Sequence, residues 1–319
     1  MKIGGSHMKK ITMKSNTDLN FDEAFERFIR KCEIKNLTDK SIVSYKQKIR
    51  PFKEFVELQE IELTDINGDT VDDFIIWVRK AHKANDISVN SYLRTVRAFT
   101  YFCMDNGYME HFRVHIPKAT KKAKETYSDA ELAVLLKKPS IKSCNFTEYK
   151  TWAFENFLLG TGVRLSTALD IKIRDVDFDN GLIFLGKTKN RTQQYIPMAK
   201  SLQGILREYL DIRGGESEDY LFCNNYGQKA NERTFQQMVQ NYNNNRGIMK
   251  SSCHAYRHTF AKLFILNGGD AFRLQKLMGH SDISVTKEYV DLFGSDLSIG
   301  FDKFNPLDNL SGSKQYIRI

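Results

Sequence analysis

The segment SSCHAYRHTFAKLFILNGG, residues 251–269, decides how the C-terminal half of the 319-residue chain is expected to fold. Ser251 or Ser252 can cap a helix whose apolar residues then recur at helical spacing. His254 and Arg257 stand at i and i+3 on that helix, so both side chains project from one face near an electropositive N-terminus. This face could bind phosphate, and a capped helix with a buried histidine is an equally good interpretation of the segment alone.

The next segment, LMGHSDISVTKEYVD at residues 277–291, places His280 after a glycine turn and Tyr289 on a short helix. A tyrosine in such a position usually packs against its own domain, because its ring is apolar and its hydroxyl finds a partner easily. A phenol with a pKa near about 10 becomes a nucleophile only if a base accepts its proton or cations stabilise the developing charge.

Two upstream segments carry the cations that such chemistry needs. In TGVRLSTALDIKIRDVDF, residues 161–178, Arg164 follows a glycine turn and can direct its planar guanidinium at a phosphate. GKTKNRTQQYIP, residues 186–197, is a hairpin tip with Lys187, Lys189 and Arg191. Lysines in a turn normally serve solubility, but an ammonium there could also protonate a leaving oxygen.

The fold class follows from the change of pattern along the chain. Residues 20–107 show helical spacing throughout and predict a bundle of four helices, with residues 39–58 as a single helix. Residues 128 onward mix helices with a small antiparallel sheet around the Asn180-Gly181 turn. We therefore expect a mainly α protein in which a helical bundle precedes an α+β domain.

The domain boundaries are expected at residues 9–112, 113–127 and 128–319 for the bundle, a basic linker and the C-terminal domain, after a tag remnant at residues 1–8. The bundle, linker and hairpin carry exposed basic residues, which are either solvated surface or DNA contacts. The candidates for DNA contact are Lys40, Lys46, Lys48, Arg94, Arg97, Lys121, Lys122 and Lys189.

Composition supports a nucleic acid partner and argues against several other classes of protein. The formal net charge of +9 favours a polyanion. The five cysteines are scattered without a CxxC pair, which predicts a reducing cytoplasm, no disulfide framework and no structural zinc. No apolar run approaches the roughly 20 residues that span a bilayer. No Walker loop or dinucleotide fingerprint is present, so no cofactor is expected.

Taken in order, the arginine, lysine, His-x-x-Arg, Gly-His and tyrosine motifs resemble the active site of the tyrosine recombinase and integrase family. That family includes phage integrases, Xer recombinases and many transposon integrases. The resemblance covers essentially the whole chain after residue 8, with the bundle matching a SAM-like core-binding domain. One departure is Thr167, which stands three positions after Arg164 where members often have an acidic residue, with Asp170 one turn further along.

The resemblance implies a role for each residue of the set. Arg164 and Arg257 would clamp the scissile phosphate, and Lys187, with Lys189 as the fallback, would protonate the departing 5′ oxygen. His254 would assist proton transfer at the nucleophile, His280 would orient the phosphate, and Tyr289 would form a 3′-phosphotyrosyl bond. Cationic side chains would supply the charge stabilisation, so no metal is expected.

The implied partners are double-stranded DNA and further copies of this chain. The resemblance predicts a monomer that forms a tetramer on two DNA sites by exchanging its C-terminal tail, an accessory excisionase, and a cytoplasmic, nucleoid-associated location. Integration and excision of a mobile element is the favoured activity. An Xer-type recombinase that resolves chromosome dimers, a catalytically silent DNA-binding relative and a DNA-relaxing type IB topoisomerase are the alternatives.

Overall fold

The structure, a computed structural model, describes residues 19–119, 124–186, 193–224 and 226–293. Of residues 292 and 293 it describes only the backbone. Its contacts divide the chain into two compact units, residues 1–122 and 123–319. The predicted tag remnant and the C-terminal tail from residue 294 lie outside the described residues. None of the helices described is long and apolar enough to cross a membrane.

Residues 19–119 contain five α-helices around one aromatic core. Phe28, Phe52, Phe74 and Phe99 meet in this core in mostly tilted or edge-on ring contacts. Helices α1 and α4 start at asparagines whose side chains accept from a backbone N–H three residues on. The helices are α1 (Phe21–Ile34), α2 (Asp39–Lys48), α3 (Arg50–Leu58), α4 (Gly68–Ala81) and α5 (Asp86–Asp105).

The prediction of a single helix over residues 39–58 is wrong, because the chain turns at Ile49 and starts a new helix. Pro51 lies in the first turn of α3. Proline has no N–H for the carbonyl four residues before it, and its ring clashes with that carbonyl, so it is tolerated only at a helix start. The bundle therefore has five α-helices where four were expected.

Helices α2 and α5 pack against each other and carry most of the predicted basic face. Lys40 and Lys46 are exposed on α2, and Arg94 and Arg97 are exposed on α5. Lys48 is half-buried at the end of α2. These positions are open to a polyanion, and their contact with DNA stays a prediction.

The C-terminal unit is built around one central helix that is apolar on nearly every side. Its Phe154 and Phe157 are fully buried, and neighbouring helices cover it on several faces. The helices of this unit are α6 (Asp129–Leu135), α7 (Phe146–Thr161), α8 (Leu165–Ala168), α9 (Lys200–Arg213), α10 (Glu232–Asn244), α11 (Cys253–Leu266), α12 (Ala271–Met278) and α13 (Ile283–Phe293), and α7 is the central one.

A three-stranded antiparallel sheet of order β1-β2-β3 lies in the C-terminal unit, with β1 at Val176–Asp177, β2 at Leu182–Leu185 and β3 at Gln194–Pro197. Gly181 has a φ of 65°, as the predicted Asn-Gly turn requires. The mainly α fold with a small antiparallel sheet is thus confirmed. The hairpin tip with Lys187, Lys189 and Arg191 lies outside the described residues.

Helices α11, α12 and α13 enclose a second, much smaller apolar cluster. Its buried members are Ala261, Leu274, Met278 and Tyr289. The candidate nucleophile is therefore part of a minor core, and the main core lies on the other side of α11, around α7.

Candidate active site

Arg164 is placed by the turn that ends α7. Gly162 closes that helix with a left-handed φ of 63°, and Arg164 is the N-cap residue of α8 two positions later. The half-buried side chain reaches across to the α12 end, where its Nη1 lies 3.5 Å from the carbonyl oxygen of Gly279. Burial lowers the pKa of Arg164, which still carries its charge at neutral pH.

Arg257 joins three separate segments of the chain. It is only 5% exposed. Its Nη1 donates to the Gly162 carbonyl at 2.5 Å, and its Nη2 lies 2.8 Å from both the Met278 carbonyl and Nε2 of His280. Burial, and then the charge of Arg164, lowers the pKa of Arg257 to about 10. Two guanidinium groups are therefore held close together despite their mutual repulsion.

The contacts of His280 fix its tautomer. Because a guanidinium can only donate, Nε2 of His280 must accept from Arg257. The proton then sits on Nδ1, which lies 2.9 Å from Oγ1 of the buried Thr286. Burial, followed by the charges of Arg257, Arg164 and Lys124, lowers the pKa of His280 to about 4, so the ring is neutral near pH 7.

His254 stands in the first turn of α11. Ser252 is the cap residue, and its hydroxyl accepts from the His254 backbone N–H at 3.2 Å. Although His254 is exposed, partial loss of hydration, and then the charges of Arg257 and Arg164, lowers its pKa. Because His254 lies three residues before Arg257 on α11, the two side chains share one face of this helix.

Tyr289 is buried on α13 with 2% of its surface exposed. Burial raises the pKa of its hydroxyl, whereas the charges of Arg257 and Arg164 act in the opposite direction. The hydroxyl lies 2.7 Å from Nδ1 of His258, and the ring is nearly parallel to that of His280. His258 was not among the residues predicted from the sequence to belong to the site. Its spacing could have identified it, since residues 254, 257 and 258 follow the i, i+3, i+4 pattern of one helix face.

Lys124 is a second residue that sequence reasoning missed. Its ammonium lies 3.8 Å from the centroid of the Tyr289 ring and 2.9 Å from a carboxylate oxygen of Glu288. A cation over a tyrosine face is attracted by the ring quadrupole. This residue of the predicted basic linker thus joins the start of the C-terminal unit to α13, the helix that carries Tyr289.

The structure brings together five of the six predicted catalytic residues, which are Arg164, His254, Arg257, His280 and Tyr289. The sixth, Lys187, lies outside the described residues, as do Lys121, Lys122 and Lys189. At the departure from the family pattern, Thr167 is buried and Asp170 forms an ion pair with Lys229. Within the described ranges, no group of three His, Cys, Asp or Glu side chains is arranged to hold a metal ion.

The arrangement fits a phosphate group better than a neutral substrate. The guanidinium groups of Arg164 and Arg257 each present several N–H donors in one plane. Both groups are partly shielded from water, and hydrogen bonds between charged groups are strong in such surroundings. The neutral imidazole of His280 contacts Arg257, and the ring of Tyr289 lies nearly parallel to it.

The profile of the phage integrase family matches residues 129–295, which is more than half of the chain. The chain belongs to this family. The profile of the phage integrase SAM-like domain also matches residues 20–122. Members of the family are tyrosine recombinases, so this protein is a site-specific recombinase that breaks and rejoins DNA.

Individual relatives span most of the recombinase. It is 24% identical over 296 residues to the tyrosine recombinase XerD of Staphylococcus saprophyticus, covering 89% of this chain and 99% of the relative. It is 29% identical over 249 residues to a probable integrase/recombinase of Acholeplasma phage L2, covering 74% and 80% respectively. A lambda integrase tetramer bound to a Holliday junction superposes with a TM-score of 0.69 at 15% identity, covering 89% of this chain and 81% of that one.

Proposed function

We propose that this recombinase cleaves DNA with Tyr289 as the nucleophile, while Arg164 and Arg257 bind the scissile phosphate. One observation carries the proposal: Arg257 contacts His280 and the turn before Arg164, and the Tyr289 ring lies nearly parallel to that of His280. Residues from four distant segments of the chain thus converge on one cationic cluster.

In the proposed step, the Tyr289 oxygen attacks phosphorus, and the bond to the 5′ oxygen breaks. The two guanidinium forks bind the non-bridging oxygens and stabilise the pentacovalent transition state. His254 completes the binding of the phosphate, His280 positions Arg257 by accepting its hydrogen bond at Nε2, and Lys187, or else Lys189, protonates the leaving oxygen. Because the charge stabilisation comes from side chains, we expect cleavage to persist in EDTA.

Tyr289→Phe tests the nucleophile. The assay uses a suicide substrate, a duplex copied from the DNA flanking the gene and nicked near the cleavage site so that the short product strand is lost. Wild type should form an SDS-resistant protein–DNA adduct, and Tyr289→Phe should bind this duplex equally well without forming the adduct. Tyr195→Phe, at an exposed tyrosine of β3, is the matched control. An adduct with Tyr289→Phe would show that another residue attacks.

Lys187→Ala tests the general acid on the same duplex with a 5′-bridging sulfur at the scissile position. Thiolate is a better leaving group than alkoxide and needs no proton, so the variant should recover cleavage on this substrate. Arg164→Ala should show no such recovery, because Arg164 stabilises the negative charge of the transition state and a better leaving group does not replace that stabilisation. If the sulfur fails to rescue Lys187→Ala but rescues Lys189→Ala, the general acid is Lys189.

We further propose that the recombinase integrates and excises a mobile element as a tetramer on two double-stranded DNA sites. The 29% identity to a probable phage integrase/recombinase supports this role, and the superposition with a lambda integrase tetramer supports the assembly. The tail from residue 294 would dock on a neighbouring subunit, and the basic face of α2 and α5 would contact DNA. An excisionase would set the direction of the reaction.

An Xer-type role in resolving chromosome dimers is the second candidate, because XerD of Staphylococcus saprophyticus matches over nearly its whole length. The two roles differ in the DNA they use. Terminal repeats flanking the gene, with recombination of a plasmid that carries them, would support the mobile element. Recombination only at a replication-terminus site would support the Xer role.

A further inference from the structure

The hydroxyl of Tyr289 has one hydrogen-bond partner among the residues that the structure describes. That partner is Nδ1 of His258, at 2.7 Å. His258 follows Arg257 directly on α11, and its ring is half-buried, with its centroid 5.8 Å from that of Tyr289. The contact joins two residues that are 31 positions apart, so it depends on the packing of α13 against α11.

Attack by Tyr289 requires the phenol proton to leave. In the folded protein burial raises the pKa of Tyr289, and the positive charges of Arg257 and Arg164 oppose that effect without cancelling it. A phosphate bound between the arginines would offset their charge further. A base in contact with the hydroxyl is therefore needed at the moment of attack.

His258 is in the protonation state that such a base requires. Burial, and then the charges of Lys124, His254 and Arg257, lowers its pKa to about 4, so the ring is neutral near pH 7. A neutral imidazole carries a lone pair on one ring nitrogen and a proton on the other. For His258 to act as this base, the Tyr289 hydroxyl must donate to Nδ1, and the proton of the neutral ring must sit on Nε2.

We propose that His258 is the general base of DNA cleavage and accepts the Tyr289 proton at Nδ1. The inference rests on the proposed role of Tyr289 as the nucleophile. As the bond from the tyrosine oxygen to phosphorus forms, the proton moves to His258, and the leaving 5′ oxygen takes a proton from the general acid. In rejoining, the 5′ hydroxyl attacks phosphorus, its proton returns to that acid, and His258 protonates the departing tyrosine oxygen.

The charged groups around His258 determine how its basicity changes when DNA binds. Lys124 on the linker and His254 and Arg257 on the same helix all disfavour its protonation. On α13, Glu288 pairs with Lys124. His280, the further titratable ring stacked on Tyr289, is neutral near pH 7. The negative charge of a bound phosphate acts against the cations, so the imidazolium becomes easier to form when the scissile phosphate is in place.

The resemblance to the family suggested His254 for proton transfer at the nucleophile, and the two histidines can be separated by their contacts. His254 is exposed in the first turn of α11, beside the two arginines. His258 lies one turn further along the helix and contacts the reacting oxygen itself. We therefore assign phosphate binding to His254 and proton removal to His258.

His258→Asn is the sharpest variant, because its amide oxygen can occupy roughly the position of Nδ1 and accept a hydrogen bond, yet it cannot take up a proton. On the nicked duplex from the flanking DNA, we expect the variant to bind as wild type does and to form the covalent adduct about 100-fold more slowly or worse. Its rate should rise with pH, as hydroxide replaces the base, whereas the wild-type rate should be nearly flat above pH 6. His111→Asn, at an exposed histidine of the N-terminal unit, is the matched control.

A second substrate separates loss of the base from loss of the general acid. A 5′-bridging sulfur should not restore cleavage by His258→Asn, because a better leaving group does not remove the phenol proton. Restoration by sulfur, or a wild-type rate with the oxygen substrate, would overturn the proposal. A melting curve followed by circular dichroism checks that the variant is folded.

A measurement without DNA decides the inference if the variant does not fold or if wild type forms no adduct. In the ¹⁵N spectrum of histidine-labelled protein, His258 should have a proton on Nε2 and a hydrogen-bonded lone pair on Nδ1. Tyr289→Phe should shift Nδ1 towards the value of a free acceptor. A proton on Nδ1 in wild type would rule out His258 as the base. Absence of the adduct in wild type, by contrast, would count against the proposed nucleophile.

Discussion

Arg257→Ala should destabilise the C-terminal unit, whereas Arg164→Ala should not, although both arginines are assigned to the phosphate. Arg257 donates to the buried carbonyls of Gly162 and Met278 at 2.5 and 2.8 Å. Losing two hydrogen bonds to a charged donor costs about 3 to 6 kcal/mol. Relief of the buried charge offsets part of this cost, which leaves a net loss of about 2 to 4 kcal/mol.

Arg164 makes a much weaker contact with the protein. Its 3.5 Å approach to the Gly279 carbonyl is at the limit of a hydrogen bond, and the side chain is only half-buried. Its removal should therefore change the unfolding free energy by less than about 1 kcal/mol. Both substitutions should impair cleavage, and only Arg257→Ala should clearly lower stability.

Urea unfolding measured by tryptophan fluorescence can test this difference. The chain has two tryptophans, Trp77 in the N-terminal unit and Trp152 in α7 of the C-terminal unit. In a Trp77→Phe background, fluorescence reports on the C-terminal unit alone. The midpoint should fall clearly for Arg257→Ala and stay within error for Arg164→Ala. Equal shifts for the two variants, or no shift for Arg257→Ala, would refute the assignment of Arg257 as the link between segments.

Two further substitutions test the interior of the same unit. Glu155 is fully buried, and burial raises its pKa well above the usual value. As pH rises, this carboxyl group ionises in the unfolded protein before it ionises in the folded protein, so the free energy of unfolding falls. Glu155→Gln cannot ionise, so its free energy of unfolding should exceed that of wild type by up to about 1.4 kcal/mol per pH unit above about pH 4.5. Urea unfolding of both proteins at pH 5 and at pH 8 measures this difference. Gly162→Ala should lose more than about 2 kcal/mol in thermal melts, because its φ is 63° and the added methyl would lie 2.3 Å from the Phe260 ring. Gly204→Ala, in α9 with open space around it, should match or exceed wild-type stability.

The sequence was sufficient for most of the fold because its strongest signals are local. The serine cap before α11, the Asn180-Gly181 turn and the apolar spacing of the helices act within a few residues. The break at Ile49 was missed although Pro51 signalled it, since a strong apolar pattern continues across the break. At this position the proline was a better guide to the end of the helix than the apolar pattern.

The site was harder to predict, because its contacts join distant segments. Order along the chain identified which residue types belong together, but it could not show that Arg257 donates to Gly162 and Met278. The roles of His258 and Lys124 depend on where α13 packs, and neither residue has a partner nearby in sequence that would indicate this. Spacing could have placed His258 on the helix face of His254, but it would not have distinguished it from an ordinary surface histidine.

The small apolar cluster that contains Tyr289 affects when the enzyme can cleave DNA. Among the residues that the structure describes, the apolar cluster that joins α12 and α13 to α11 has four buried members, far fewer than the main core, so detaching this layer exposes little apolar surface compared with unfolding the main core. We expect its backbone amides to exchange with solvent well before those of α7. Free in solution, the protein would spend part of its time with the Tyr289 hydroxyl away from Arg164 and Arg257. If a neighbouring subunit on the same DNA packed against α12 and α13 and kept them on α11, strand cleavage would depend on assembly.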